Sequence, residues 1–331
     1  MTRRAFISLL GGAAAASSAS WPLAARGQRA ARVFRIGVLE TTSQDQNARN
    51  FGALQRGLRE AGYVEGRNFT IYYRSADGVS GRFPGLVAEL LTLGVDLIIT
   101  RGTPAVLAAK KATAGVPIVM AASGEPTGTG AVAGLARPGG NVTGLSAFTT
   151  ELETKRIELL RELVPNAKRL GGLINMGNPV SERRWKVIDT TAQSIGMSTQ
   201  LLDVRTRADL TRAFETAGRQ NLEGLLVEND GLIQANGRLI ADLAIQNRLP
   251  AIYAFRDVID AGGLISYSVN YADLYFRAAT FVDKIFKGAR PADLPVEQPT
   301  KFELIVNLKT AKSIGLAVSE SFLLRADEVI E

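Results

Sequence analysis

The chain has 331 residues, 46% of them hydrophobic and 21% charged, with 33 Gly and 12 Pro, the balance of a globular protein with room for two cores. It contains neither His nor Cys, which excludes Ser-His-Asp triads, Cys nucleophiles, His-ligated metals, zinc thiolates, iron–sulfur clusters and disulfides, and leaves carboxylate, lysine or serine catalysis, or binding without reaction. Basic residues outnumber acidic ones by 39 to 32, but they are scattered among the acids with no basic stripe interleaved with aromatics, so no nucleic-acid partner is expected.

The first 27 residues read as a twin-arginine signal peptide. Arg3 and Arg4 directly precede a weakly apolar segment, Ala5 to Ala16, and no acid interrupts it. A charged start holds the cytoplasmic side, a short apolar stretch enters the membrane, and small residues then admit a peptidase. Ala25-Arg26-Gly27 offers a cleavage site before Gln28, and Ser17-Ser18-Ala19 offers a second. No other stretch reaches the ~20 apolar residues of a membrane span. Without Cys there is no lipid attachment site, so the expectation is a soluble, non-lipidated periplasmic protein, working as a monomer.

From Val33 onward, short β-rich runs alternate with helical periods, the grammar of parallel α/β architecture. Arg35 to Leu39 is a strand; Phe51, Leu54 and Leu58 stripe a helix that stops at Gly62; Asn68 to Tyr73 is the next strand. Leu86, Leu90 and Leu93 mark a helix, Asp96 to Thr100 a strand, Pro104 to Lys111 a helix opened by proline, and Pro117 to Ala121 and Val142 to Leu145 two more strands. A second set repeats the pattern: helix 151–164, strand 170–175, helix 181–195, strand 199–204, helix 208–220, strand 224–227, helix 232–247, and strands 251–253 and 264–267. Tyr271 to Phe286 is a strongly amphipathic helix with Leu274, Ala278, Phe281 and Ile285 on one face, and strand 302–306 and helix 308–314 end the fold. Two such sets predict two Rossmann-like lobes: residues 28–147 with about 271–290, and residues 148–270 with about 291–331. Hinges are expected near Thr143 to Ala147, Ser266 to Asn270 and Gly288 to Pro295. Ligands of such sheets sit at the carboxyl ends of the strands, facing the partner lobe.

Several strings are distinctive in themselves: Gly62-Tyr63-Val64-Glu65-Gly66, Gly102-Thr103-Pro104-Ala105, the run Leu135 to Leu145 (LARPGGNVTGL), Arg248 to Tyr253 (RLPAIY) and Ala292 to Leu304 (ADLPVEQPTKFEL). In this order they resemble the ABC transporter substrate-binding proteins, over nearly the whole chain after the leader. The resemblance implies a type I periplasmic-binding fold, delivery of a small solute to an inner-membrane ABC permease with its ATPase, and tryptophan- and phenylalanine-binding members as functional models. Three loops depart from the family's usual strings: Gly124-Glu125-Pro126, Asn229-Asp230-Gly231 and Ser268-Val269-Asn270. All three fall in predicted cleft loops, so the ligand's identity does not carry over with the fold.

Gly102 and Thr103 open a helix whose first N–H groups suit a carboxylate, although Thr103 could equally just cap that helix. Ser123 and Gly124 would admit a ligand close to the backbone, or form a plain turn. Thr41 and Thr42, beside Glu40, carry hydroxyls after the first strand, with solvated loop polarity as the rival reading. In the second lobe Asn175 and Asp230 meet the crevice, Asp230 as partner for a ligand ammonium or as a cap of the helix from Leu232. Tyr253, with Phe255, could stack on an aromatic ligand or fill lobe core, and Asn270 belongs to the third departing loop. Gly128-Thr129-Gly130 is too short and too late for a dinucleotide fingerprint, and Asn141-Val142-Thr143 is a glycosylation sequon only in form. No catalytic residue, metal or cofactor is expected. A receptor for an apolar or aromatic amino acid is the leading reading; an exported α/β enzyme and a repressor effector domain of the same fold are the rivals, the first lacking a convergent acid/base set and the second lacking a DNA-binding segment.

Overall fold

The computed structural model describes residues 33–147 and 152–331; the leader lies outside the described residues. The first half lays down β1 (Phe34–Glu40), α1 (Ala48–Glu60), β2 (Phe69–Ser75), α2 (Phe83–Thr92), β3 (Leu97–Arg101), α3 (Thr103–Ala112), β4 (Ile118–Ser123) and β5 (Val142–Ser146). These strands form one parallel sheet in the order β2-β1-β3-β4-β5. Helices cover both faces, so β3, β4 and β5 are buried along their whole length, which is why β3 and β4 open on apolar runs instead of alternating with polar residues.

The second half follows with α4 (Glu153–Leu163), β6 (Arg169–Ile174), α5 (Ser181–Ser194), β7 (Ser198–Asp203), α6 (Arg207–Arg219), β8 (Gly224–Val227), α7 (Gly231–Ala235), α8 (Gly237–Gln246), β9 (Ala251–Tyr253), α9 (Asp257–Asp260) and β10 (Ile265–Val269). After α10 (Tyr271–Phe286) come β11 (Phe302–Asn307), α11 (Leu308–Ile314), α12 (Glu320–Leu323) and β12 (Glu328–Ile330). The second sheet runs β12-β11-β10-β9-β8-β6-β7, parallel except where β11 meets β10. The single helix expected over 232–247 is broken at Asn236, whose side chain donates to the Leu232 carbonyl (2.8 Å) and accepts from Arg207 (2.8 Å), so α7 and α8 are separate.

Helix α10 returns to the first lobe and packs along α1. The two helices cross so closely at Gly57 that a Cβ there would lie 2.6 Å from the Phe276 carbonyl oxygen. The stacked pair Phe34 and Phe286 (3.8 Å between centroids) closes the far end of this contact. The chain then stays with the first sheet longer than the sequence suggests. Glu297 donates its N–H to Gly144 and accepts from Ser146, lengthening the sheet beside β5. The third crossing between lobes therefore falls between Glu297 and Phe302, beyond the Gly288–Pro295 segment expected to hinge. Another falls between Val269 and Tyr271. Among the described residues no helix is long and apolar enough to cross a membrane.

Candidate ligand cleft

The carboxyl ends of both sheets face one another. From the first lobe, β3 ends at Arg101, and the chain then turns through Gly102 at φ +83°, a conformation that favours glycine, into the first turn of α3. Thr103 is buried and donates its hydroxyl to the Gly124 carbonyl (2.9 Å), with Ser123 Oγ 3.5 Å away. Pro104 takes the second helical position, where its missing N–H costs nothing. Thus Gly102, Thr103, Ser123 and Gly124 are brought together, with α3's first turn directed at the cleft. After β1, Thr41 reaches across to the second lobe and donates to Gln234 Oε1 (2.9 Å), while Thr42 is buried and offers its carbonyl to the Tyr73 hydroxyl (2.9 Å).

From the second lobe comes a closed hydrogen-bond set around Asp230. Its Oδ1 accepts from Asn175 Nδ2 and the Leu232 N–H, and its Oδ2 from Asn178 Nδ2, all at 2.9 Å. Asp230 is therefore both the cap of α7 and a carboxylate on the cleft wall. Behind it, Arg184 donates to the Asn229 carbonyl (2.9 Å) and pairs with Glu228 (3.4 Å). Glu228 lies 3.9 Å from Arg156, which pairs with Glu153 (2.8 Å). Burial pushes the Glu153 carboxyl well above the ordinary range, Arg156 opposing the shift and Glu228 adding to it.

Between the lobes a cavity of about 40 Å³ is lined by Thr41, Ser80, Arg101, Gly102, Thr103, Pro104, Gly124, Asn178, Arg184, Asn229, Asp230, Gln234 and Tyr271, among others. It has room for a few water molecules. Asn175 lines a larger adjoining recess of about 670 Å³ with Gly78, Arg205 and Asn236. The seam is closed by Thr41 with Gln234, by Gln46 with the Ala235 carbonyl, and by Glu125 with Arg183 (3.0 Å). Gly78, at φ +79°, lies flat against α7, where a Cβ would be 2.9 Å from that of Ala235.

Four expected site residues, Thr42, Ser123, Tyr253 and Asn270, line neither the cavity nor the adjoining recess. Tyr253 is wholly buried, its ring edge-on to Phe255 at 6.4 Å and packed against Gly263 in the core of the second lobe, away from the cavity wall. The aromatic pair that suggested a stacking platform is thus core, as apolar residues ending a central strand commonly are. Asn270 caps α10 by accepting from the Asp273 N–H (2.8 Å) and donates to Glu303 (2.6 Å), and it does not line the cavity. Conversely, Arg101, Arg184, Asn178, Gln234 and Tyr271 stand on the wall without having been singled out. For Arg101 the sequence did hold a signal: a lone cation ending an apolar strand, Leu97-Ile98-Ile99-Thr100-Arg101, one residue before a helix start.

Residues 35–330 match the model of the ABC transporter substrate binding protein family. The chain belongs to that family, whose members are extracytoplasmic receptors that take a small-molecule solute to an ABC permease. It is 25% identical, over 84% of its own length and 79% of the other's, to a tyrosine-binding protein of Clostridioides difficile (strain R20291). It is 26% identical to the ABC domain from Streptococcus pneumonia solved in complex with L-Trp, covering 90% of this chain and all of that one with a TM-score of 0.83. The ligand-free, open structure of a substrate binding protein with adhesive properties from Clostridium difficile shares the fold, at 23% identity, a TM-score of 0.65 and coverage of 90% and 99%. The fold is that of type I periplasmic-binding proteins, two α/β lobes on mostly parallel sheets.

Proposed function

We propose that the solute is an α-amino acid, held as a zwitterion between the lobes, and that the receptor works in the periplasm after export by the twin-arginine route. The observation that carries the ligand reading is the pairing on one cavity wall of a carboxylate, Asp230, with the first turn of α3 and Arg101 on the facing lobe. An ammonium suits the first and a carboxylate the second. The tyrosine- and L-Trp-binding relatives support an apolar or aromatic side chain. Tyr253 and Phe255 no longer do, and Tyr271 is the aromatic ring left on the wall. The small cavity implies that a solute of this size enters with the lobes apart and that they reclose around it.

Calorimetric titration of the chain without its leader against the common L-amino acids tests this reading. Saturable one-to-one binding of an apolar or aromatic member is expected, with compaction in small-angle scattering. Binding of none of them would overturn the ligand assignment, and an unchanged radius with proven binding would overturn lobe closure. For export, replacing Arg3 and Arg4 by Lys is expected to leave precursor in the cytoplasm, whereas normal export would point to the general secretory route. A rival reading, an aromatic carboxylate without an amine, draws on the saturation of Asp230 by three donors, which leaves it little unfilled accepting capacity.

A further inference from the structure

Arg101 is 3% exposed and stands on the cavity wall at the end of β3. Its Nη1 donates to Asn47 Oδ1 (3.0 Å), and its guanidinium lies over the Tyr271 ring, 5.0 Å from the centroid. Its Nη2 is buried and has no hydrogen-bond partner, with Asp257 Oδ2 at 3.9 Å the nearest carboxylate oxygen paired with it. The other buried arginines of the cleft region are matched differently: Arg156 has Glu153 at 2.8 Å and Arg184 has Glu228. Glu40, a carboxylate on Arg101's own lobe, accepts from the Tyr275 hydroxyl at Oε1 (2.5 Å) and leaves Oε2 unpartnered, and burial raises its pKa to about 7 despite the attraction of Arg101. A buried guanidinium without a hydrogen-bonded anion is costly unless something else completes it. The ten-residue helix α3, which starts two residues further on, adds its dipole in the same direction.

We propose that Arg101 receives a carboxylate of the solute, completing its hydrogen bonding when the cleft is occupied, and that it makes this receptor selective for acids over the corresponding amides. The inference deepens the amino-acid reading by naming the residue that recognises the acid, and it assigns the anion to a guanidinium fork as well as to backbone N–H groups. Guanidinium and carboxylate match in a bidentate, planar geometry, which an amide with its own N–H donors cannot reproduce.

The test titrates the chain without its leader, and its Arg101→Gln and Arg101→Lys variants, with L-tyrosine, L-tryptophan, phenylacetate and 4-hydroxybenzoate, each beside its primary amide. At least one acid is expected to bind the unaltered protein at least tenfold more tightly than its amide. Arg101→Gln is expected to abolish that preference and Arg101→Lys to keep part of it. Acid and amide bound alike by the unaltered protein would overturn the inference while leaving the amino-acid reading intact. Amine-free acids bound in place of amino acids would overturn that reading and leave Arg101's role standing. No acid bound at all overturns both. If Arg101→Gln does not fold, Arg101→Lys still decides the matter, because an acid–amide preference set by the first turn of α3 alone would be unchanged in that variant and would overturn the inference.

Discussion

The two faces of the cleft differ in the polar groups that stand on the wall itself. On the second lobe the polar groups answer one another: Asp230 is held by Asn175, Asn178 and the start of α7, and Arg184 by Glu228 and the Asn229 carbonyl. On the first lobe Arg101 stands on the wall with its Nη2 buried and without a hydrogen-bond partner, and small residues bring backbone to the surface; behind the walls both lobes leave carboxylate oxygens unpartnered, Glu40 Oε2 in the first and Glu153 Oε2 and Glu228 Oε1 in the second. A satisfied network is rigid and sets geometry in advance, whereas an unsatisfied one gains most when a ligand arrives. The second lobe thus acts as a template, and the first lobe supplies the groups whose state the solute changes.

The seam where the faces meet gives the largest test. Gly78→Val places a branched side chain where a Cβ alone would be 2.9 Å from the Ala235 Cβ and 3.1 Å from the Leu232 Cα, at φ +79°. Forcing a bulky residue into the left-handed region costs roughly 1–2 kcal/mol in either form of the protein. The overlap with α7, on the order of 1–3 kcal/mol, is felt when the lobes close. Solute affinity is expected to fall about tenfold to a hundredfold, with a modest loss of thermal stability and a larger radius at saturating solute. Equal affinity would mean that the seam seen here is not the solute-bound one.

The first lobe's unsatisfied acid sets the next effect. Glu40 has a folded pKa of about 7 against an ordinary 4.5, so between these pH values the folded state binds more protons than the unfolded chain. Stability from this group is therefore greatest below pH 4.5 and falls as pH rises toward 7, by about 3 kcal/mol at full deprotonation. Glu153, also raised by burial, contributes in the same direction. Glu40→Gln removes the ionisation, so the difference in unfolding free energy between variant and unaltered protein should shift in the variant's favour between pH 5 and 8. A difference that stays constant with pH would show that Glu40 is ionised throughout.

Asp230→Asn tests the template. It removes one charge from a site that three donors already fill, and one of the two oxygens becomes an N–H₂ that faces a donor. A loss of about 1.5–3 kcal/mol in affinity is expected if the carboxylate also meets an ammonium. The stability loss should be of similar size, since the cap of α7 weakens with it. A drop in stability with unchanged affinity would assign Asp230 to structure alone.

Most of the fold was legible because parallel strands buried on both faces are apolar throughout, and their helices carry a clear period: the runs at Arg35, Asp96, Leu170 and Gly224 mark strands of the two sheets. Short elements were not: α9, α12 and β12 have three or four residues each, too few for any period to show. The cleft was half legible. Loops after strands predicted Thr41, Gly102, Thr103, Gly124 and Asp230, which share the cavity wall. Chain proximity misled for Tyr253, since a strand's last residue can still point into the core, and Asn270 turned out to serve a helix cap. Arg184 and Gln234 sit on helical turns whose direction only the tertiary packing fixes.

The smallest effect belongs to the rim. Glu125 and Arg183 meet across the seam at 3.0 Å, with the Arg183 side chain 58% exposed and Glu125 at 18%. Gly128 lets the guanidinium lie over the backbone, because a Cβ there would be 2.8 Å from Arg183 Nη1. A pair this open to water contributes no more than about 1 kcal/mol, and salt screens it over roughly 10 Å at 0.1 M. Glu125→Gln should therefore weaken solute binding less than about fivefold at low salt and hardly at all at 0.5 M, mostly through faster release of solute, since the contact forms only when the lobes have closed. The same substitution should leave thermal stability unchanged, because each partner remains on its own lobe and in water when the seam opens. A salt-independent loss would mean that Glu125, held at φ +48°, acts by shaping the loop after β4 and not by its charge. That outcome would move it from the rim of the seam into the first lobe's binding face.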